Sequence, residues 1–256
     1  MRLSDNSIVL EGIISITAAI EANKRNILTV YADKEKYEKR DRKATRFISM
    51  LKKKGIEYKL CDRAYIDSIT DGETHGGFAA EVSERSYSDF SQFISQLKSG
   101  EYAVFLDGVE DPFNFGYSIR NLFAFGCKGF IMPKRNWMSA ASTVAKASAG
   151  ASELCELCTA PDDSEALEVI RNSGVKIVCA GLSPTSVPLY DFNCNEPFIL
   201  FIGGEKRGIS KDFFENADYV VHIPYSNADA NYSLPTASCA AIFGNYLSNT
   251  KNNAMT

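Results

Sequence analysis

The stretch Val104–Pro133, VFLDGVEDPFNFGYSIRNLFAFGCKGFIMP, decides the fold that we predict for this chain. It opens within an apolar run, Ala103–Leu106, of the kind that forms buried strands in parallel sheets. From Phe115 the apolar residues fall at helical spacing until Gly126, a residue type that commonly follows the last turn of a helix. Phe130–Met132 is a second apolar run. The order strand, loop, helix, strand predicts one unit of an open α/β sheet.

Polar residues stand where the first predicted strand ends. Asp107-Gly108 and Asp111-Pro112 are turn-forming pairs, and they predict a loop between the strand and the helix. Asn114 lies at the end of this loop, and Arg120 lies in the first turns of the helix. Open α/β folds bind ligands at the carboxyl ends of their strands, so both side chains are candidates for a functional site.

Strands and helices alternate through the rest of the chain, which predicts an α/β fold with a doubly wound, mostly parallel sheet. A compact α/β module of about eighty residues precedes this sheet. The further predicted strands are Asn26–Tyr31, Glu57–Cys61, Gly77–Val82, Ser152–Thr159, Lys176–Ala180, Phe198–Ile202 and Val220–Ile223. The further predicted helices are residues 8–22, Lys34–Lys54, Tyr65–Thr70, Ser139–Gly150, Ser164–Ser173 and Pro235–Ser248, and Ser83–Ser99 are predicted to be a linker that becomes the first helix of the second domain.

The charge of the chain is unevenly distributed. The net charge is −4, which by itself argues against a nucleic-acid partner. Residues 24–63, however, contain fourteen basic and six acidic residues, so the rest of the chain carries −12. This asymmetry predicts a polyanion-binding first domain joined to an acidic second one. The alternative is a lysine-rich helix face that is only solvated.

The composition favours a cytoplasmic protein without a metal site. No run of about eighteen apolar residues is available to span a membrane, and residues 1–10 lack the apolar core of a signal peptide. The seven cysteines are dispersed and lie mostly in apolar runs, as buried thiols in a reducing compartment do. Cys155 and Cys158 have the spacing of half a zinc site, but no second pair accompanies them, and we interpret them as structural.

Three motifs, in this order, resemble the signatures of the SpoU-type (TrmH) RNA ribose methyltransferases of the SPOUT superfamily. The first is D-G-V-x-D-P-x-N-x-G-x-x-x-R, here Asp107–Arg120. The second is a strand followed by G-x-E-x-x-G, here Phe198–Ser210, and the third combines Ile223-Pro224 with Ser233-Leu234. Together they span most of residues 101–247, and three ordered motifs are far more specific than one glycine-rich loop.

The resemblance implies a chain of two domains. Residues 1–85 resemble the small α/β domain, similar to ribosomal protein L30e, with which many family members bind their RNA substrate. Residues 86–100 are expected to form a linker and a first helix, and residues 101–256 a SPOUT methyltransferase domain. The implied fold of that domain is a doubly wound, mostly parallel sheet with a C-terminal trefoil knot.

The resemblance also implies an activity and its participants. The expected reaction transfers a methyl group from S-adenosylmethionine to a ribose 2′-hydroxyl of RNA, with ribosomal RNA favoured over transfer RNA. The expected assembly is a homodimer whose active sites are completed across the subunit interface.

The site residues follow from the same resemblance. Arg120 is expected to hold a substrate phosphate and to stabilise the developing alkoxide, because a guanidinium does not give up its proton. Asn114 is expected to fix the geometry of the loop and of Arg120. The implied catalytic residues are Arg120, Asn114 and Ser233, and the implied cofactor-binding residues are Gly203, Gly204, Glu205, Gly208, Ile223, Pro224 and Leu234.

The third signature departs from the family pattern, which leaves two interpretations open. Ser233–Ala237 reads S-L-P-T-A where the family has S-L-N-V-S, so Pro235 occupies the place of the asparagine. The polar contact to substrate is then expected from Ser233, Asn231 or Thr236, or is absent. The chain is accordingly either an active methyltransferase or a SPOUT-fold RNA-binding protein that no longer transfers methyl groups. A dinucleotide-dependent dehydrogenase is disfavoured, because no G-x-G-x-x-G follows the first strand.

Overall fold

The computed structural model describes residues 7–133, 140–227 and 233–254, with side chains up to residue 250. The chain forms two compact units. The first comprises Met1–Ser86 and Asn136–Leu154, and the second comprises Tyr87–Arg135 and Cys155–Thr256. The sequence predicts that residues 140–154 belong to the second domain, whereas in the structure they pack with the first unit.

Strands and helices alternate along most of the described chain. In chain order the elements are β1 (Ile8–Glu11), α1 (Gly12–Ala22), β2 (Ile27–Asp33), α2 (Lys34–Glu38), α3 (Arg42–Lys54), β3 (Tyr58–Cys61), α4 (Arg63–Ile69), β4 (Phe78–Val82), α5 (Phe90–Ser95), β5 (Tyr102–Asp107), α6 (Pro112–Ala124), β6 (Gly129–Pro133), α7 (Ala141–Ala147), α8 (Ala151–Leu154), β7 (Glu156–Ala160), α9 (Asp163–Ser173), β8 (Lys176–Ala180), β9 (Val187–Pro188), β10 (Phe198–Gly203), α10 (Lys211–Glu215), β11 (Tyr219–His222) and α11 (Thr236–Ala254). No helix in the described ranges has the length and apolar character needed to cross a bilayer.

The first unit is built on a four-stranded sheet with the order β1-β4-β2-β3. Strand β4 pairs antiparallel with β1 and β2, and β2 pairs parallel with β3. Apolar residues of α1 and α3 pack on this sheet, and the rings of Phe47 in α3 and Phe78 in β4 meet edge to face at 5.3 Å between centroids. The small N-terminal α/β domain is therefore present, as expected.

Two helices predicted in this unit are shorter than expected. The sequence predicts one helix over residues 8–22, but Ile8–Glu11 form β1 because they pair with β4, and Gly12 has a φ of +80°. The sequence also predicts one helix over Lys34–Lys54, which is interrupted at residues 39–41. There Arg40 has a φ of +55°, and the carboxylate of Asp41 accepts a hydrogen bond from the amide of Ala44 at 2.8 Å. Such a cap begins a new helix because it satisfies an amide without an intrahelical partner.

A buried ion pair fixes residues 140–154 to the rest of the first unit. Arg25 donates to both carboxylate oxygens of Glu153, at 2.8 and 3.0 Å, and to the carbonyl of Ser83 at 3.0 Å. Both charged side chains are 3% exposed. The backbone at Gly150 also packs closely against α1, because a Cβ at this position would lie 2.6 Å from the Cβ of Ala18.

The second unit contains a seven-stranded sheet with the order β7-β6-β5-β10-β8-β11-β9. Every strand pairing described in this sheet is parallel, so the predicted doubly wound, mostly parallel sheet is confirmed. The core on one face centres on the rings of Phe105, Phe201 and Phe213, whose centroids lie 4.5 to 5.1 Å apart. The trefoil knot implied by the resemblance stays a prediction.

The linker and helix predicted over Ser83–Ser99 are present, and the helix covers Phe90–Ser95, because the carboxylate of Asp89 accepts the Gln92 amide and begins the helix there. One local prediction in the second half of the chain is wrong in extent. The strand predicted over Ser152–Thr159 is preceded by α8, and only Glu156–Ala160 form β7.

We expect that Arg25→Met lowers the free energy of unfolding by about 3–5 kcal/mol, because it leaves the Glu153 carboxylate buried without a partner. The double variant Arg25→Met/Glu153→Met removes both charges, and its loss should be clearly smaller than the sum of the two single losses. Urea unfolding of the full chain measures all four proteins of this cycle. Additive losses would contradict the assignment of a coupled, buried pair.

Candidate active site

The first and second signatures meet at one edge of the sheet because their strands are neighbours. Strands β5 and β10 pair in parallel along their whole length, with Asp107 opposite Gly203 at their carboxyl ends. The chain order of the sheet reverses here, since β6 and β7 lie on one side of β5 and β10, β8 and β11 on the other. Such a switch point opens a crevice between the loops that follow the two strands.

Helix α6, which follows the loop after β5, begins earlier than the sequence predicts. The Asp111 carboxylate accepts hydrogen bonds from the amides of Phe113 and Asn114, at 3.1 and 3.3 Å, and Pro112 occupies the first helical position. Asn114 therefore lies in the first turn of α6 rather than at the end of the loop. Its side-chain amide donates to the carboxylate of Glu205 at 3.1 Å, which joins the first signature to the second.

The loop after β10 turns back on itself between Gly204 and Gly208. The amide of Gly208 donates to the carbonyl of Gly204 at 2.9 Å, and Gly208 has a φ of +66°. A Cβ at Gly204 would lie 2.0 Å from the carbonyl oxygen of Gly108 in the first loop. The two loop backbones therefore cross at van der Waals distance, and only glycine fits at this crossing.

Asp107 holds the two loops together at the same crossing. Its carbonyl accepts the amide of Gly204 at 2.7 Å, and its carboxylate accepts the amide of Ser210 at 2.6 Å. Burial raises the pKa of the Asp107 carboxyl above its ordinary value, while the hydrogen bonds from the Ser210 and Gly108 amides act in the opposite direction.

Glu110 faces the tip of the second loop. Its carboxylate lies 3.4 Å from the guanidinium of Arg207 and 3.8 Å from the ammonium of Lys206. Both cations are more than three-quarters exposed, so these pairs contribute little to stability. These ion pairs join the tip of the first loop to the tip of the second.

The third signature contributes through the beginning of α11. Thr236 is 3% exposed, and its hydroxyl donates to the carbonyl of Gly203 at 3.2 Å. The side-chain amide of Asn121 in α6 donates to the carbonyl of Ala237 at 3.0 Å. Segments of all three signatures are thus hydrogen-bonded at the carboxyl ends of β5 and β10.

A cleft of about 270 Å³ opens where these segments meet. It is lined by Gly108, Val109, Glu110, Asp111, Asn114, Glu205, Lys206 and Thr236. Three of these residues carry carboxylates and one carries an ammonium. Asp111 caps α6 and Glu110 faces two cations, whereas Glu205 accepts only the neutral Asn114 amide among the described residues, so Glu205 is the carboxylate of this lining that best suits a ligand with positive charge.

The structure brings some of the predicted site residues together and leaves others apart. Asn114 and Glu205 line the cleft, and Gly203, Gly204 and Gly208 form the crossing beside it. The other predicted residues, Arg120, Ser233, Ile223, Pro224 and Leu234, are not among the residues that line it, and Asn231 lies outside the described residues.

Arg120 and Ser233 are exposed, and Leu234 donates its amide to the hydroxyl of Tyr225 at 3.4 Å. Strand β8 separates β10 from β11, the strand that Ile223 and Pro224 follow. The catalytic and cofactor-binding roles of all these residues stay predictions.

Asp107 is the residue that the sequence reasoning missed. Its signal was present, since it is a carboxylate directly after a buried strand at the ligand-binding edge. Thr236 was one of three open alternatives for the third signature, and in this structure its hydroxyl already has a partner within the chain.

Profiles of known families identify both parts of this architecture. The SpoU rRNA Methylase family matches residues 101–244, and the RNA 2′-O ribose methyltransferase substrate-binding domain matches residues 9–88. The chain belongs to the SpoU rRNA Methylase family.

Proteins named as RNA methyltransferases resemble this chain over most of its length. It is 28% identical over 237 residues to the 23S rRNA (guanosine-2′-O-)-methyltransferase RlmB of Photorhabdus laumondii, covering 90% of this chain and 95% of that protein. It is 29% identical to an uncharacterized tRNA/rRNA methyltransferase of Synechocystis over 77% of this chain, but spans about half, 52%, of that relative's length. An AdoMet-bound rRNA methyltransferase from Sinorhizobium meliloti superposes with a TM-score of 0.77 at 22% identity, over 96% of this chain and 88% of that one. That likeness concerns the fold.

The cleft of this SpoU chain fits the chemistry of S-adenosylmethionine. The cofactor carries a sulfonium and an ammonium group, and the carboxylates of Glu110, Asp111 and Glu205 line the cleft. The need for glycine at Gly203 and Gly204 is already explained without the cofactor, because both residues contact the backbone of the loops. Contact between these glycines and the cofactor is therefore a separate prediction.

We expect Gly204→Ala to lower the free energy of unfolding by about 3 kcal/mol, since its Cβ would overlap the Gly108 carbonyl. Gly208→Ala is the matched control, because it meets no atom within 4 Å and suffers only the left-handed φ, a loss of about 1–2 kcal/mol. Urea unfolding compares the two variants. Equal losses would argue against a backbone crossing at Gly204.

Asp107→Ala should lower the free energy of unfolding by about 1–3 kcal/mol, because it leaves the Ser210 amide without an acceptor, whereas Asp107→Asn keeps one.

The contribution of Asp107 to the free energy of unfolding depends on pH with a defined sign. Burial raises the folded-state pKa, so the native state holds its proton longer and the wild type loses stability as pH rises from 3.8 through the raised pKa. The stability of Asp107→Asn should therefore increase relative to that of the wild type as the pH rises over that range. Urea unfolding at a series of pH values tests this sign, which a flat difference would contradict.

Proposed function

We propose that this SpoU family chain transfers a methyl group from S-adenosylmethionine to a ribose 2′-hydroxyl of RNA. The observation that carries the proposal is that segments of all three family signatures are hydrogen-bonded around one acidic cleft. The family match and the name of the RlmB relative support the same reaction.

The cofactor supplies, when bound, an electrophilic methyl group on a positively charged sulfur. The residues of this chain that would hold it are the acidic residues of the cleft, above all Glu205, whose carboxylate Asn114 already orients. Because the loops are fixed by the Asp107 hydrogen bonds, the cleft is pre-organised, and positioning accounts for much of the rate of a transfer between two bound groups.

Arg120 is the residue that we assign to the substrate. A guanidinium stays protonated, so it acts by binding a phosphate next to the reacting ribose and by stabilising the negative charge that develops on the 2′-oxygen. Arg120 is exposed and its side chain has no ion pair or hydrogen-bond partner among the described residues, so the guanidinium donors are available for such a contact.

We further propose that the chain acts as a homodimer. Phe113, Tyr117 and Arg120 follow each other at helical spacing on α6, and the two aromatic side chains are 51% and 44% exposed. Arg120 does not line the cleft of its own chain. A dimer that covers this stripe would bury both rings and bring Arg120 to the cleft of the partner.

The substrate class within RNA is part of the proposal. We favour ribosomal RNA, because the substrate-binding domain matches residues 9–88 and the relative with 95% coverage is named as a 23S rRNA enzyme. We place the reaction in the cytoplasm, where such an RNA is accessible.

One observation favours a second function, an RNA-binding protein that has lost transfer. Pro235 replaces the asparagine of the third signature, and the hydroxyl of Thr236 is engaged by the Gly203 carbonyl. If Ser233 and Asn231 do not replace that asparagine, RNA is bound without being methylated.

Titration calorimetry with S-adenosylmethionine, followed by transfer of a labelled methyl group to ribosomal and transfer RNA, separates the two functions. We expect cofactor binding and transfer to ribose. Wild-type protein that binds RNA but neither binds the cofactor nor transfers methyl groups would favour the second function.

Arg120→Ala should lower the transfer rate on the order of a hundredfold or more and leave cofactor affinity unchanged, because it removes a contact to the substrate and the transition state. Arg120→Lys keeps the positive charge but lacks the planar guanidinium, so its transfer rate should lie between those of the wild type and Arg120→Ala. Transfer at saturating cofactor measures the rate, and calorimetry measures the affinity. Wild-type rates in Arg120→Ala would remove this residue from the mechanism.

A further inference from the structure

A cleft of about 840 Å³ lies in the first unit, at the turn between α2 and α3. It is lined by Tyr37, Glu38, Arg40, Arg42, Thr45, Arg46 and Ser49, and we call it the arginine cleft. Three of the seven residues carry guanidinium groups, and only one carries a carboxylate.

The backbone at the turn presents these arginines in a defined way. Arg40 has a φ of +55°, in a region that favours glycine and that costs other residues about 1–2 kcal/mol. The Arg40 amide donates to the carbonyl of Tyr37 at 3.0 Å, and the Asp41 amide donates to the carbonyl of Lys36 at 2.9 Å. An arginine held in an unfavourable conformation by a closed turn is a feature that functional sites often show.

Helix α3 separates its apolar and basic faces. Ala44, Phe47, Ile48 and Leu51 are buried against the sheet. The opposite face is exposed and adds two guanidinium groups, from Arg42 and Arg46, and two hydroxyls, from Thr45 and Ser49. The helix thereby lays a row of hydrogen-bond donors along one wall of the cleft.

The acidic residues of α2 and the turn are already engaged. Glu35 pairs with Lys39, Glu38 lies 3.8 Å from Lys34, and the Asp41 carboxylate caps α3. The side chains of Arg40, Arg42 and Arg46 have no ion pair or hydrogen-bond partner among the described residues, and neither has the side chain of Lys43. The positive charge of the cleft is therefore not neutralised within the described part of the chain.

We infer that the arginine cleft binds the phosphate backbone of RNA. The planar fork of a guanidinium matches a phosphate with two hydrogen bonds, and hydroxyls add further donors to phosphate and sugar oxygens. Of the seven lining side chains only Tyr37 is aromatic, and the ammonium of Lys52 lies 6.0 Å from the centre of its ring. This lining favours contact with the backbone over stacking of bases.

The inference rests on the proposed function, since RNA is the polyanion of that reaction. The match to a substrate-binding domain concerns residues 9–88 as a whole, and the inference goes further by naming the side chains within it that contact the RNA backbone, none of which belongs to the three signatures. The role of the arginine cleft is to hold the RNA, so the site should affect RNA affinity and leave the chemical step at saturating RNA unchanged.

The test compares two triple variants of the full chain. Arg40→Gln/Arg42→Gln/Arg46→Gln removes three unpaired cations from the cleft. Lys34→Gln/Lys39→Gln/Lys59→Gln removes the same charge from the same unit, but from lysines that already pair with glutamates. Binding of a fluorescein-labelled RNA stem-loop is measured by anisotropy over a series of salt concentrations.

We expect the arginine variant to reduce the slope of log K against log salt by about 2–3, one for each lost phosphate contact, and to weaken binding at least about tenfold. The lysine variant should change the slope by less than one. Cofactor affinity should stay unchanged in both variants, and the KM for RNA should rise in the arginine variant without a change in kcat.

A second variant, Thr45→Glu/Ser49→Glu, leaves the arginines in place and adds negative charge to the cleft, so it should weaken RNA binding as well. Equal slopes for the two triple variants, with RNA still bound by the wild type, would overturn the inference and leave the proposed function standing. A wild type that does not bind RNA at any salt concentration would overturn both.

Discussion

The second unit depends on one contact between two stretches of backbone. Gly204 lies against the carbonyl of Gly108 with no room for a side chain, and the carbonyl and carboxylate of Asp107 accept the amides of Gly204 and Ser210. Because β5 and β10 are parallel neighbours, this contact brings two signatures that are about ninety residues apart in sequence to the same place. The positions of Asn114 and Glu205 follow from it.

Much of the fold could be predicted from the sequence because the strands of a parallel sheet are buried on both faces. Runs such as residues 177–180 and Phe198–Ile202 are apolar and are bounded by turns, so the extents of these strands can be predicted to within a residue. The strand order could not be predicted in this way, because periodicity does not tell which strands are neighbours.

Periodicity predicts the wrong element where a local interaction overrides it. Ile8–Glu11 continue the apolar pattern of the helix that follows them, yet they form a strand because they pair with β4. The helix over Lys34–Lys54 is broken because Asp41 caps a new one, and this break creates the arginine cleft. In the cleft at the carboxyl ends of β5 and β10, the motifs predict Asn114 and Glu205, but the hydrogen bonds of Asp107 and Thr236 depend on tertiary structure and leave no periodic trace.

The path of the chain between the two units limits how this protein can vary. After β6 the chain leaves the second unit, adds α7 and α8 to the first, and returns to the second unit at β7. The first unit is therefore not a detachable module, since a cut after residue 86 would leave Arg25 without Glu153 and α1 without Gly150. Exchange of this first unit for that of a relative, by recombination or by design, would have to carry both segments at once.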